Sequence, residues 1–169
     1  MNGLALVFPG QGSQAAGMGR RLCEEFASAR AVFEEASQAA GLDLKKLCFE
    51  GPAEKLELTE FTQPCVLTVS LAAHRALAEE TGIKPLVAAG HSLGEWSALV
   101  AAGALKLAQA AAAVHERGKC MERAVPAGQG AMAAVMKLPR EQIEQACQSA
   151  AQGEVVAPAN DNAPDQVVI

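Results

Sequence analysis

Two short, wholly apolar runs, "LALVF" (4–8) and "PLVAAG" (85–90), are separated by long segments with apolar residues at helical spacing. Apolar runs of this length are typical of strands that are buried on both faces of a parallel sheet. The segments around them predict helices over residues 19–40, 64–80, 95–102 and 106–124. The pattern of the first 126 residues therefore predicts an α/β fold.

The second predicted helix has the clearest start signal. Thr62 is expected to be its N-cap, and Pro64 lies in the first turn, where the missing N–H of proline costs least. Five apolar residues then recur at helical spacing and are expected to form its buried face: Val66, Val69, Ala73, Ala76 and Leu77.

The pattern changes after residue 126. "AMAAVMKL" predicts a strand, "PREQIEQACQSAAQG" a helix that closes at Gly153, and "EVVAPAN" and "QVVI" two further strands. We therefore divide the chain into an α/β part, 1–126, and a part with β-α-β-β order, 127–169, that is not completed. Because the chain ends within an apolar run, we expect it to be a fragment of a longer protein.

Composition excludes several classes of function. The net charge of −5 and the scattered Lys and Arg residues argue against a nucleic-acid surface. No apolar stretch is long enough for a membrane span, and the N-terminal run is too short for a signal peptide. Five widely spaced cysteines without a C-x-x-C pair indicate free thiols in a reducing compartment, so we expect a cytoplasmic protein. Three scattered histidines predict no metal site.

The segment "GHSLG" fits the G-x-S-x-G pattern, with an apolar strand before it and a helix after it. Such a turn exposes the hydroxyl of Ser92 and offers the N–H of Leu93 as an oxyanion donor. The alternative is a glycine-rich turn with a capping serine. A serine nucleophile needs a base. His91 is adjacent but expected to point away, and His74 and His115 lie inside predicted helices, so the base is not found.

The loop "FPGQGSQ" after the first apolar run resembles a nucleotide-binding loop only in part. A dinucleotide site needs an acidic residue after a second strand about twenty residues on, and that region is helical here. We interpret the loop as a tight turn in which Gln11 supplies a second oxyanion donor.

Five stretches together resemble one family: "VFPGQGSQAAGMG", "TQPCVLTVSLA", "AGHSLGEWSALVAAGAL", "RGKCMERAVPAGQGAMAAV" and "NDNAPDQVVI". They are similar to malonyl-CoA:acyl carrier protein transacylases, whose signatures polyketide synthase acyltransferase domains share. The resemblance implies an α/β, parallel-sheet, hydrolase-like core with a nucleophile elbow (1–126) and the start of a small ferredoxin-like subdomain (127–169).

The resemblance also implies roles for individual residues. Ser92 matches the nucleophile that carries the malonyl group, Leu93 and Gln11 match the oxyanion hole, and Arg117 matches the arginine that binds the malonyl carboxylate. A planar guanidinium suits that task because it binds a carboxylate through two hydrogen bonds. Four residues are possible lining of the site: Gln63, His91, Asn160 and Asn162. Asn160 and Asn162 are equally well explained as turn residues.

The implied partners are malonyl-CoA and acyl carrier protein, with no cofactor, nucleic acid or membrane. Lys119 and Arg123 either contact the carrier protein or are solvated helix residues. Family chains continue well beyond residue 169 and carry their histidine base there, so activity of this chain alone is in question. Two alternatives stay open: another serine acyl hydrolase or thioesterase, and a non-catalytic fragment that binds carrier protein or CoA.

Overall fold

The computed structural model of the chain describes residues 3–126 and 128–169. These residues form two compact units, a larger one N-terminal to Gly128 and a smaller one over Gly128–Ile169.

The first unit contains a small parallel sheet. Strand β1 (Ala5–Phe8) pairs with strand β2 (Val87–Gly90) in parallel, with Ala5 opposite Val87 and Phe8 opposite Gly90. Two parallel neighbours require a crossover between them, and five helices supply it. The α/β class predicted from the apolar runs is thereby confirmed.

The described part of this unit also contains seven helices. The longest, α5 (Thr59–Thr81), packs against both α2 (Ala27–Ala40) and α7 (Leu107–Ala124), which also pack against each other. The core at their contact includes the fully buried side chains of Phe33, Leu67 and Val114. The helices are α1 (Arg20–Glu25), α2 (Ala27–Ala40), α3 (Leu44–Glu50), α4 (Ala53–Glu57), α5 (Thr59–Thr81), α6 (Leu93–Ala101) and α7 (Leu107–Ala124).

The single helix predicted over residues 19–40 is wrong. The chain is extended at Phe26 (φ −114°, ψ 127°), which separates α1 from α2. The Arg30 guanidinium donates to the carbonyl oxygen of Cys23 at 2.6 Å. This contact satisfies a terminal carbonyl of α1, so the break leaves less of the backbone unpaired.

The predicted start of α5 is also wrong, because the helix begins one turn earlier, with Leu58 as its N-cap. Thr62 lies inside the helix, and its hydroxyl donates to the carbonyl oxygen of Leu58 at 2.9 Å. Of the predicted buried face, Val66 and Ala76 are buried and Val69 is half-buried. Ala73 and Leu77 are exposed, Leu77 to 42%. Leu77 lines an open groove beside β1 rather than a closed contact with another element.

The second unit has an antiparallel sheet of three strands in the order β3-β5-β4. Its elements are β3 (Ala134–Met136), α8 (Arg140–Ala151), β4 (Asn160–Ala163) and β5 (Gln166–Val168). Ile143 and Cys147 of α8 pack with Val167 of β5 in its core.

The strand predicted over residues 154–160 is displaced along the chain. Residues 154–159 form no regular strand, and β4 begins only at Asn160, opposite Val168. Val155 is almost fully exposed. Pro158 has no N–H to donate to a ladder, which favours a later strand start. Asn160 and Asn162 are therefore strand residues, and their interpretation as turn residues is wrong.

All five cysteines are free thiols, and only Cys120 is exposed. Over residues 3–126 and 128–169, none of the helices combines the length and the apolar character that crossing a membrane would require.

Candidate active site

Ser92 lies at the junction of β2 and α6, in a backbone conformation that is rare for a residue with a side chain. Its φ is 51° and its ψ is −103°. Backbone hydrogen bonds hold the turn on both sides, since the N–H of His91 donates to the carbonyl of Phe8 and that of Gly94 to the carbonyl of His91. Strain of about 1–3 kcal/mol at such a residue persists only where the surroundings over-determine it.

The two glycines of the motif are required by close backbone approach. A Cβ atom on Gly90 would lie 2.0 Å from the carbonyl carbon of Gly94. A Cβ atom on Gly94 would lie 2.3 Å from the carbonyl oxygen of Phe8 in β1. A side chain at Gly90 would displace the start of α6, and one at Gly94 would push α6 away from β1, which explains the spacing of glycines around Ser92.

Arg117 reaches Ser92 from α7. Its Nη2 donates to the Ser92 Oγ at 3.1 Å, and its Nη1 donates to the Gln63 Oε1 at 2.6 Å. The Gln63 side chain is fully buried on α5, and its amide nitrogen donates to the Met121 Sδ at 3.1 Å. The structure therefore brings together Gln63 of α5, Ser92 at the N-terminus of α6 and Arg117 of α7, which lie far apart in sequence.

The two predicted oxyanion donors, Gln11 and Leu93, lie on the loop after β1 and at the start of α6. The Gln11 side-chain amide donates to the Thr59 Oγ1 at 3.2 Å. Leu93 is the first residue of α6, and N–H groups in a first helical turn have no acceptor within the helix. The helix N-terminus also carries a partial positive charge that favours a developing anion beside Ser92.

Two of the histidines are engaged away from Ser92. His74 meets the ring of Phe8 edge-on at 6.2 Å, and burial lowers its pKa below the ordinary value. The His115 Nδ1 lies 3.0 Å from the carbonyl oxygen of Ala40. His91 contributes its backbone to the turn that holds Ser92.

Four further candidates lie on the second unit or on the surface of α7. Asn160 and Asn162 belong to β4, where the Asn162 amide donates to the Gln166 Oε1. Lys119 and Arg123 both form exposed ion pairs with Glu116, at 3.6 Å and 3.3 Å. The Arg123 hydrogen bond lowers the pKa of Glu116.

Sequence inspection missed the residues that join α5 to α7 beside Arg117. Glu122 accepts the N–H of Thr59 at 2.7 Å, and Met121 accepts from Gln63. Nothing in a single sequence marks such cross-helix pairs, because their members are about sixty positions apart. The described residues contain no cluster of His, Cys, Asp or Glu that could hold a metal ion.

Comparison with known proteins gives concordant results. A family model described as acyl transferase domain matches residues 5–169. A malonyl CoA-acyl carrier protein transacylase of Escherichia coli K12 is 49% identical over 169 residues, which are 100% of this chain and 55% of the relative. The chain thus spans about half the length of the curated relatives it matches.

Solved structures agree with the sequence matches. A malonyl-CoA:acyl carrier protein transacylase of Xanthomonas oryzae superposes with a TM-score of 0.93 at 48% identity, over 99% of this chain and 54% of that one. A type II polyketide synthase acyl carrier protein in complex with its malonyl-transacylase gives a TM-score of 0.91 at 47% identity, with 99% and 54% covered. The chain belongs to the acyl transferase domain family.

Proposed function

We propose that this chain provides the nucleophile and the carboxylate-binding residue of an enzyme that transfers malonyl groups from malonyl-CoA to acyl carrier protein in fatty acid synthesis. One observation carries the proposal: the guanidinium of Arg117 lies 3.1 Å from the hydroxyl of Ser92. The names of the relatives from Escherichia coli and Xanthomonas oryzae support the same substrate and carrier.

The chemistry follows from that contact. The Ser92 Oγ would attack the thioester carbonyl carbon of malonyl-CoA, forming a C–O bond while the C–S bond breaks and CoA leaves as the thiol. The pantetheine thiol of the carrier protein would then attack the serine ester, forming a new C–S bond while the C–O bond to Ser92 breaks and the thiol proton returns to the Ser92 Oγ. A covalent intermediate divides one difficult acyl transfer into two easier steps.

The turn at Ser92 is proposed to be a nucleophile elbow. Its positive φ and its tight glycine contacts hold the hydroxyl at the N-terminus of α6. The N–H of Leu93 and the amide of Gln11 are proposed to stabilise the oxyanion, with Gln11 exchanging its contact to Thr59 for the substrate oxygen. The base is proposed to be a histidine in the part of family chains beyond the matched residues.

The position of Arg117 favours an acyl group with a nearby carboxylate. Because the guanidinium is so close to Ser92 Oγ, it can reach a carboxylate that is one carbon from the ester carbonyl. A charge-assisted bidentate pair would hold that carboxylate. An esterase or thioesterase for neutral acyl groups has no need of a cation there, so this alternative is disfavoured.

The proposal extends to the remaining candidate residues. His91 is proposed to line the site, and the second unit, to which Asn160 and Asn162 belong, is proposed to be the start of a ferredoxin-like subdomain. Lys119 and Arg123 are proposed to meet the carrier protein, beside Glu116, with which both form ion pairs. The complex of a related transacylase with its carrier protein supports such a partner. A cytoplasmic location stays a prediction from the cysteine pattern.

The test is acyl loading, measured by intact mass after brief incubation with malonyl-CoA or acetyl-CoA. It uses this chain and a chimera that joins its 169 residues to the remaining part of the Escherichia coli relative. We expect a malonyl adduct on the chimera and none on its Ser92→Ala variant. An adduct on the chain itself would show that the base is dispensable for loading, and binding without an adduct would support the non-catalytic alternative.

Arg117→Ala tests the carboxylate site. Hydrogen bonds to charged groups contribute about 1.5–3 kcal/mol, so malonyl loading should fall about 10- to 100-fold while acetyl loading changes little. Arg123→Ala is the matched control, since Arg123 lies on the same helix but pairs with Glu116 on the surface. Equal losses of malonyl and acetyl loading in Arg117→Ala would refute the proposed role.

A further inference from the structure

Gln63 is an unusual residue for the middle of a helical core. It is fully buried, although glutamine is mostly found at the surface. Both ends of its amide are nevertheless engaged, because the oxygen accepts from Arg117 Nη1 at 2.6 Å and the nitrogen donates to Met121 Sδ. A buried amide with both ends bonded has one orientation, so it fixes the group that it contacts.

The contact involves one edge of the guanidinium and leaves the other edge directed at Ser92. Nη1 bonds to Gln63, whereas Nη2 bonds to the Ser92 hydroxyl at 3.1 Å. Arginine has several rotatable bonds, and ordering such a side chain on ligand binding costs affinity. A partner that orders it beforehand removes that cost for a carboxylate at Ser92.

The partner is also neutral, which preserves the positive charge of Arg117. In the described parts of the chain, none of the ion pairs includes Arg117. The nearest carboxylates on its helix are engaged elsewhere: Glu116 with Lys119 and Arg123, and Glu122 with the N–H of Thr59. An amide oxygen therefore orders the guanidinium without competing for its charge.

Close packing of two helices makes this contact possible. Gly118 follows Arg117 on α7, and a Cβ atom there would lie 2.5 Å from the Cα of Glu60 on α5. Glu60 precedes Gln63 by three residues, which is nearly one helical turn. The glycine therefore lets the two backbones approach at the level where Gln63 and Arg117 meet.

We infer that Gln63 is a positioning residue that determines selectivity for carboxylate-bearing acyl thioesters, by holding one edge of the Arg117 guanidinium so that the other faces Ser92. The inference rests on the proposed function, because it assigns a second residue to the carboxylate site. In this role Gln63 acts from a buried position beside Arg117 rather than as a residue that lines the site.

The test uses Gln63→Met in the chimera, because the methionine side chain is about as long as that of glutamine but accepts no comparable hydrogen bond. We expect the KM for malonyl-CoA to rise about tenfold, as ordering of Arg117 is lost. The kcat for malonyl-CoA and both parameters for acetyl-CoA should change less than twofold. Thr68→Val is the matched control, since it removes another buried polar group of α5, whose hydroxyl bonds only within that helix.

The decisive comparison is the double variant with Arg117→Ala. If Gln63 acts through Arg117, Gln63→Met should cause no further change in the malonyl-to-acetyl ratio once the arginine is gone. Losses that are equal for the two substrates, or that persist in the Arg117→Ala background, would overturn the inference in favour of a structural role. An unchanged ratio in Gln63→Met, with selectivity lost in Arg117→Ala, would overturn the inference alone. Unchanged selectivity in Arg117→Ala would instead contradict the proposed function.

Gln63→Glu provides a second test that does not depend on Gln63→Met folding. It keeps the acceptor oxygen but adds a negative charge beside the guanidinium. We expect malonyl selectivity to be lost while acetyl loading is retained, because the new carboxylate competes with that of the substrate. An unchanged malonyl-to-acetyl ratio would contradict the charge argument.

Discussion

The strained backbone at Ser92 leads to a reversal of the usual order of stability between alanine and glycine. Glycine is ordinarily less favourable than alanine inside an element by about 0.5–1 kcal/mol, because it loses more conformational freedom on folding. At Ser92, with φ 51° and ψ −103°, alanine keeps the strain and glycine relieves it. We therefore expect Ser92→Gly to be more stable than Ser92→Ala.

The magnitude follows from the two opposing terms. Relief of a rare backbone conformation contributes about 1–3 kcal/mol. After the entropic cost of glycine is subtracted, Ser92→Gly should exceed Ser92→Ala by about 1 kcal/mol in free energy of unfolding, from the middle of the two ranges, and by about 2.5 kcal/mol at most. The hydrogen bond from Arg117 to the Ser92 hydroxyl is lost in both variants, so it cancels in the comparison.

Urea denaturation followed by tryptophan fluorescence measures this difference directly. The chain has one tryptophan, Trp96, which lies in α6 four residues after Ser92 and so reports on the unit that contains the turn. The same alanine and glycine pair at Ser97, a buried residue inside α6, is the control and should show the ordinary order. If alanine is the more stable residue at both positions, the strain argument is refuted.

Two further predictions concern α7 and α5. Gly118→Ala should destabilise the chain by about 1–2 kcal/mol, because overpacking against Glu60 costs more than the roughly 1 kcal/mol gained in helix propensity. Ala112→Gly, on the exposed side of α7, measures the propensity difference alone. A Gly118→Ala variant that is more stable than the original chain would contradict the packing argument. Burial lowers the pKa of His74 in the folded chain, so the unfolded chain binds the proton more tightly, and stability should be full above about pH 6.5 and fall as the pH drops below it. Urea denaturation midpoints between pH 8 and pH 5.5 measure how stability changes with pH. His74→Gln should reduce this change, and His115→Gln should not. An equal change in the original chain and in His74→Gln would contradict the role of His74.

Local patterns in the sequence were sufficient for the α/β class and for the turn at Ser92. An apolar run, two glycines and a serine specify a strand-to-helix junction because the contacts that demand them are made within a few residues and with the adjacent strand β1. The same locality explains the order of elements in the second unit. Hydrophobic spacing did not reveal the break at Phe26, although the contact of Arg30 with the Cys23 carbonyl beside that break is also local.

The tertiary structure decided what surrounds Ser92. The sequence alone gave no physical reason to prefer Arg117 over any other arginine of a helix, and the assignment came from family resemblance. Only the packing of α5 against α7 brings Arg117 to Ser92 and buries Gln63 beside it. Contacts between residues 25 and 54 positions apart depend on how helices cross and how closely they approach. Hydrophobic periodicity fixes which face of a helix is buried, but the side chains that meet across that face are set by the three-dimensional fit of both helices.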